Sequence, residues 1–270
     1  MSVTVAKTAG FCFGVRRAVD LAEQQAKKNG KIYAYGEIIH NMHEIERLEK
    51  LGVYTAYALE DIPDGAGVLI RAHGVPRNVY TLLQAKKCEI FDATCPFVRK
   101  IHKIADKESA DGRLIVILGS AGHPEVVGIQ GWCGESVVLE GEEQARAFSE
   151  RLEMENKPIS LVAQTTVNRS IWNISVGTYK KNGCTNLKIF DTICKATDER
   201  QSEARLLAGV SDQMIVIGDK KSSNTKRLYE ITGRCARMCA TSKTRQSLLR
   251  RSSGSTSTSG SRREHPHRHG

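Results

Sequence analysis

Two short stretches decide how the chain is read: Phe91-Asp92-Ala93-Thr94-Cys95 and Phe190-Asp191-Thr192-Ile193-Cys194. Each follows a short apolar lead and opens an amphipathic helical stretch. A third cysteine, Cys12, stands in Gly10-Phe11-Cys12-Phe13-Gly14-Val15, again just ahead of a helical pattern. Cys12, Cys95 and Cys194 are separated by 83 and 99 residues. That spacing reads as one cysteine per unit of a three-part repeat, because self-similarity at such intervals marks repeated architecture. The competing reading is a coincidence of two short motifs.

Working outward from these cysteines, apolar runs alternate with helical patterns. The expected strands are Lys31–Tyr35, Gly67–Ile70, Leu114–Leu118, Ile159–Ala163 and Gln213–Ile217. The expected helices include Val15–Asn29, His43–Leu51, Val79–Lys87, Phe97–Lys107, Val126–Trp132, Glu142–Glu150 and Thr197–Leu207. Such alternation predicts an α/β fold with parallel sheets and right-handed crossovers. The expected domains are 1–96, 97–193 and an incomplete third unit at 194–231.

The whole chain of 270 residues carries a net charge of +10, which alone would suggest a nucleic-acid partner. The charge is unevenly placed. Residues 232–270 hold nine Lys or Arg and one acid, whereas the first 231 residues carry a net of only +2. The segment from Thr232 is rich in serine and arginine and has no periodic apolar pattern. It is read as disordered or out of frame, because the break falls within an apparent helix, TKRLYEI. Cys235, Cys239, His265, His267 and His269 are then accidental. An RNA-binding tail is the alternative, and its lack of interleaved aromatics counts against it. The 40% apolar and 26% charged content is that of a globular protein. With no membrane-length apolar run and no signal pattern, a cytoplasmic location is expected, with no membrane partner and no disulfides.

Cys88, Cys133 and Cys184 are read as small buried hydrophobes. Cys12, Cys95 and Cys194 differ by standing before helices, whose N-termini favour the thiolate. Three converging thiolates suit a soft metal or an iron–sulfur cluster, and with only three ligands one iron of a cluster would stay open to substrate. A mononuclear zinc enzyme using Cys, His and Glu stays open as an alternative. In open α/β sheets ligands bind beyond the carboxyl ends of the strands. The residues there are His40, His73, His123, Thr165 and the Ser222-Ser223-Asn224 run, a set that fits an anion such as phosphate. Ser222 alone could simply cap a helix. Glu125 is either a dipole-favoured acid in a first helical turn or a proton donor whose pKa burial raises.

The motifs GFCFGVRRAVDLA, GEIIHN, RAHGVP, DATCPFV, GHPEVVG, AQTT, DTICKATDERQ and GDKKSSNTKRL resemble, in order, those of the LytB family of 4-hydroxy-3-methylbut-2-enyl diphosphate reductases. The resemblance covers residues 1 to about 231. It implies a trefoil of three α/β domains around a 4Fe–4S cluster held by Cys12, Cys95 and Cys194. It also implies that His40, His73, His123, Thr165, Ser222, Ser223 and Asn224 hold the diphosphate substrate, and that Glu125 supplies protons with Thr165 near the leaving hydroxyl. The implied reaction is a two-electron reductive dehydroxylation to isopentenyl and dimethylallyl diphosphates, with ferredoxin or flavodoxin as electron donor. The family's third domain continues past this point with a T-A-G-A-S-type loop, for which no counterpart is found here.

Overall fold

Five strands carry most of the apolar weight, and their neighbours in the sheet follow from which faces they bury. In the computed structural model, residues 2–155, 157–182, 186–233 and 236–239 are described. The first unit runs α1 (Phe13–Asn29), β1 (Ile32–Tyr35), α2 (Met42–Glu49), β2 (Val53–Ala56), β3 (Gly67–Ile70), α3 (Arg77–Ala85) and β4 (Glu89–Asp92). The second runs α4 (Pro96–Ala110), β5 (Leu114–Leu118), α5 (Pro124–Gln130), β6 (Ser136–Leu139), α6 (Glu142–Glu155), β7 (Ile159–Ala163), α7 (Arg169–Lys181) and β8 (Leu187–Ile189). The third comprises α8 (Lys195–Ala208), β9 (Met214–Ile217), α9 (Ser223–Thr232) and β10 (Ala236–Cys239).

The first sheet has the order β2-β1-β3-β4 and the second β6-β5-β7-β8, so the two share one topology. All pairings are parallel, in the third sheet β10-β9 as well. Each sheet is entered through a helix that directly follows one of the three cysteines: α1, α4 or α8. The central strands β5 and β7 are buried along all five residues, as expected of parallel strands covered on both faces. Alternation then sorts them: Val116 and Leu161 pack with Trp172 on one face, and Ile117 and Val162 with Ile101 on the other. In the first sheet Ala34 and Leu69 face α1, while Val68 and Ile70 face Val79 and Leu83 of α3.

All five expected strands are present, within a residue or so of their expected ends. The others (β2, β4, β6, β8 and β10) are three or four residues long and lie at sheet edges, where weak apolar content suffices because one flank is open. Helix α7 was also absent from the reading. The tail boundary needs correcting: α9 continues to Thr232 and stops at Gly233, whose φ of 57° is in the left-handed region that ends helices. The composition change therefore meets the end of an element rather than its middle. Beyond it, β10 lies inside the stretch read as tail and pairs with β9, whose edge offers free backbone groups. Average composition over 39 residues hides a four-residue strand. Cys184, residues 240–270 and the three tail histidines lie outside the described residues. Cys88 and Cys133 are half-buried rather than buried, packed at the rims of two core clusters.

Candidate active site

The echoed F-D-x-x-C motif has a local physical cause. Asp92 Oδ1 accepts the backbone N–H of Thr94 at 2.8 Å, and Asp191 Oδ1 accepts that of Ile193 at 3.3 Å. Each aspartate thus bends the chain out of a strand through an Asx-type turn and delivers the following cysteine to a helix start. Cys12, Cys95 and Cys194 are the N-cap residues of α1, α4 and α8. The Cys95 and Cys194 thiols each feel the Cys12 charge, and Cys95 also feels Cys194, so the three helix starts converge. Gly14 in α1 explains its own identity: a Cβ there would lie 2.5 Å from Cys95 Sγ.

Burial pushes the Cys95 and Cys194 thiols up, and the helix N–H groups that lower them are outweighed. This corrects the expectation that helix N-termini would yield ready thiolates. Desolvation opposes the charged form at both thiols, and a bound cation would favour it. A single zinc ion would hold its sulfurs roughly 4 Å apart, given a Zn–S bond of about 2.3 Å. Among the described residues the three thiols do not form a group with all atoms within 4.8 Å. Three soft sulfurs at converging helix starts are a donor set that fits an iron–sulfur cluster.

Beyond the carboxyl ends of β1, β3 and β5 lie His40, His73 and His123, and the two large sheets turn these ends toward each other. The ring centroids are 4.6 Å apart for His40–His73, 5.6 Å for His40–His123 and 5.4 Å for His73–His123. The three ring sets do form a group within 4.8 Å. His123 Nδ1 accepts the N–H of Glu125 at 3.1 Å, which puts its proton on Nε2 as a donor. His40 donates from Nδ1 to Glu37 at 3.0 Å. Nε2 of His40 and Nδ1 of His73 are buried with no protein partner. Burial holds His73 well below the ordinary imidazole range and His123 at about 4, and the nearby Arg71 guanidinium pushes both the same way. The Arg71 guanidinium, the His123 Nε2–H and the unmet ring nitrogens around one space fit an oxyanion.

Glu125 sits in the first turn of α5 and is buried, 2% exposed. Its Oε1 accepts the Thr165 N–H at 2.6 Å and its Oε2 the Thr165 hydroxyl at 2.8 Å. Burial nevertheless pushes its pKa up to about 7. Glu125 thus starts a helix, and its burial raises its pKa, the condition that a proton donor needs. The neighbouring elements tie the cysteines to this site. Cys194 N–H donates to the Thr165 carbonyl at 3.1 Å, and Cys95 N–H to the Ala72 carbonyl, next to His73, at 2.9 Å.

The third unit reaches the same place. Ser222 caps α9 by accepting the Thr225 N–H at 3.3 Å, so its capping role is met. Ser223 Oγ accepts from Gln164 Nε2 at 3.2 Å, and Asn224 follows in the first helical turn. Glu37, Arg71, Gln164 and Lys221 belong to this site and were missed as site residues. Each lies in a strand-end loop, and the i,i+3 spacing of Glu37 and His40 was the available signal. Gly36 before Glu37 has a φ of 75°, and a Cβ on it would lie 2.4 Å from Arg71 Nη1, so the loop needs glycine twice over.

The fold and site thus define a class: a parallel α/β protein that brings cysteines at three helix starts beside a buried acid and a close-set histidine trio. A profile of the family described as LytB protein matches residues 3–253, so it takes in β10 as well. A 4-hydroxy-3-methylbut-2-enyl diphosphate reductase of Clostridioides difficile is 42% identical over 234 residues, 86% of this chain and 82% of that protein. The solved E-1-hydroxy-2-methyl-but-2-enyl-4-diphosphate reductase of Plasmodium falciparum has a TM-score of 0.80 at 28% identity, over 89% of this chain and 77% of that one. A second solved structure, (E)-4-hydroxy-3-methyl-but-2-enyl diphosphate reductase, gives 0.65 at 37% identity, over 87% and 84%. The chain belongs to the LytB family.

Proposed function

We infer that the chain reduces 4-hydroxy-3-methylbut-2-enyl diphosphate to isopentenyl and dimethylallyl diphosphates, the last step of the methylerythritol phosphate route. The observation that carries this reading is Glu125, a buried acid near pH 7, bonded twice to Thr165 beside both the histidines and Cys194. In the reaction one C–O bond breaks, two electrons and two protons enter, and water leaves. A 4Fe–4S cluster on Cys12, Cys95 and Cys194, central to a trefoil of three units, would supply the electrons and one iron without a protein ligand. The electrons would come from ferredoxin or flavodoxin.

The chain's own residues do the rest. His40, His73 and His123 hold the diphosphate, with Ser222, Ser223 and Asn224 closing on it from the third unit. Protonated Glu125 donates to Thr165 Oγ1, which turns its own hydroxyl proton toward the departing oxygen. The pair thereby makes the leaving group water rather than hydroxide. Among the described residues no helix is long and apolar enough to cross a membrane.

The test is iron and acid-labile sulfide per chain after anaerobic preparation, followed by turnover with a reduced viologen. Near-stoichiometric iron and sulfide with diphosphate-dependent turnover supports the reading. Cys95→Ser should lose the iron, and normal iron in that variant defeats the ligand assignment. Glu125→Gln should keep the iron and lose at least about 100-fold in kcat.

A further inference from the structure

We propose that Glu37 and Lys221 form a positioning pair that holds His40 for the diphosphate and ties it to the third-unit loop. The inference rests on the reading of the histidines as the anion site. Glu37 follows β1 and is 8% exposed. It accepts from His40 Nδ1 at 3.0 Å through one oxygen and from Lys221 Nζ at 2.5 Å through the other. Lys221 comes from the opposite end of the described chain and immediately precedes Ser222, the cap of α9. The ion pair is thus a direct link between the first and third units at the mouth of the site.

Chemistry explains why His40 needs such a partner. Its Nδ1 is held by Glu37, which leaves Nε2, a buried atom with no protein partner, as the ring atom open to a ligand. Glu37 thereby fixes which edge of the ring is left for a ligand. The other charged or titratable groups around the ring are His73 and His123, with Arg71 acting on both. None of them is an acid, so Glu37 is the carboxylate that holds the ring. A lone carboxylate this near a diphosphate would also repel it, and Lys221 neutralises that field. An exposed lysine pair is ordinarily worth little. Here one partner is buried and its charge faces the ligand.

The test is steady-state kinetics on the reconstituted enzyme, with inorganic pyrophosphate as competitive probe. Glu37→Gln and Lys221→Met should each raise KM and the pyrophosphate Ki about tenfold. Each should leave kcat within about twofold, since only binding is weakened. The double variant should be no worse than the worse single, because Lys221 acts through Glu37. Singles that leave KM and Ki unchanged, while His40→Ala raises them, overturn the positioning role alone. An unchanged KM in His40→Ala overturns the anion-site reading itself. If Glu37→Gln fails to fold, Lys221→Met, altered at a 62% exposed side chain, decides alone.

Discussion

Glu125 is where a single side chain departs furthest from its behaviour in water. Its carboxyl keeps two hydrogen bonds from Thr165, yet desolvation wins and the pKa rises from 4.5 to about 7. As the general acid it must be protonated, so kcat should fall as pH rises through about 7, and a pH–rate profile checks this. The same shift has a stability sign. The folded pKa lies above the unfolded one, so the contribution is complete below about pH 4.5 and is lost as pH rises to about 7. The cost above pH 7 is on the order of 3 kcal/mol. Glu125→Gln should therefore raise the Tm of the loaded enzyme at pH 8 but not at pH 5. Calorimetry showing equal Tm values at pH 8 would remove burial as the cause of the shift. The residue was legible in the sequence as Pro124-Glu125 at a helix start; which of its two readings applied was not, since its partner Thr165 lies 40 residues on.

Among the elements, α1 carries the sharpest constraint. By helix propensity alone Gly14→Ala should stabilise it by about 1 kcal/mol. The added methyl would instead meet Cys95 Sγ at 2.5 Å, across from another unit. Gly14→Ala is therefore expected to fold with a sound helix but to retain little iron, measured as iron per chain. Full retention would show that α1 can shift without disturbing the three sulfurs. At the same scale, Asp92 accepts from Thr94 N–H, Arg99 and Tyr80. Asp92→Ala should cost about 1–2 kcal/mol in denaturant unfolding, and Asp92→Asn should recover much of it by restoring the Asx turn. The central strands were readable because both faces are buried, which makes their apolar runs continuous. Edge strands such as β8 and β10 were not, because a strand with one open flank needs few apolar residues.

Contacts between units join the three cysteines at the level of the whole molecule. Arg17 of α1 donates to the carbonyls of Asp92 and Thr94, next to Cys95. Arg200 of α8 donates to the carbonyls of Thr8 and Gly10, and Glu203 accepts from the N–H groups of Lys7 and Thr8, just before Cys12. The first unit thus holds the second cysteine, and the third unit holds the first. Removing this clamp in Arg200→Ala with Glu203→Ala should leave overall unfolding little changed but speed iron loss to a chelator severalfold. Iron release at the parental rate would mean the N-terminal segment is held by other contacts. Nothing in the sequence pairs Arg200 with Thr8, because the contact spans 192 residues and depends on how the units face each other.

By itself the sequence determined the alternating α/β units, the cysteine at each unit's opening and the strand-end loops that carry His40, His73, His123 and Thr165. Periodicity, glycine and Asx turns are local physics, acting over a few residues. The tertiary structure alone decided that burial outweighs the helix N-termini at Cys95 and Cys194, that Glu37 and Lys221 join the site, and that the chain beyond Ile231 adds a strand. Desolvation and ion pairing depend on what packs against a group, and only the folded arrangement of distant segments supplies that.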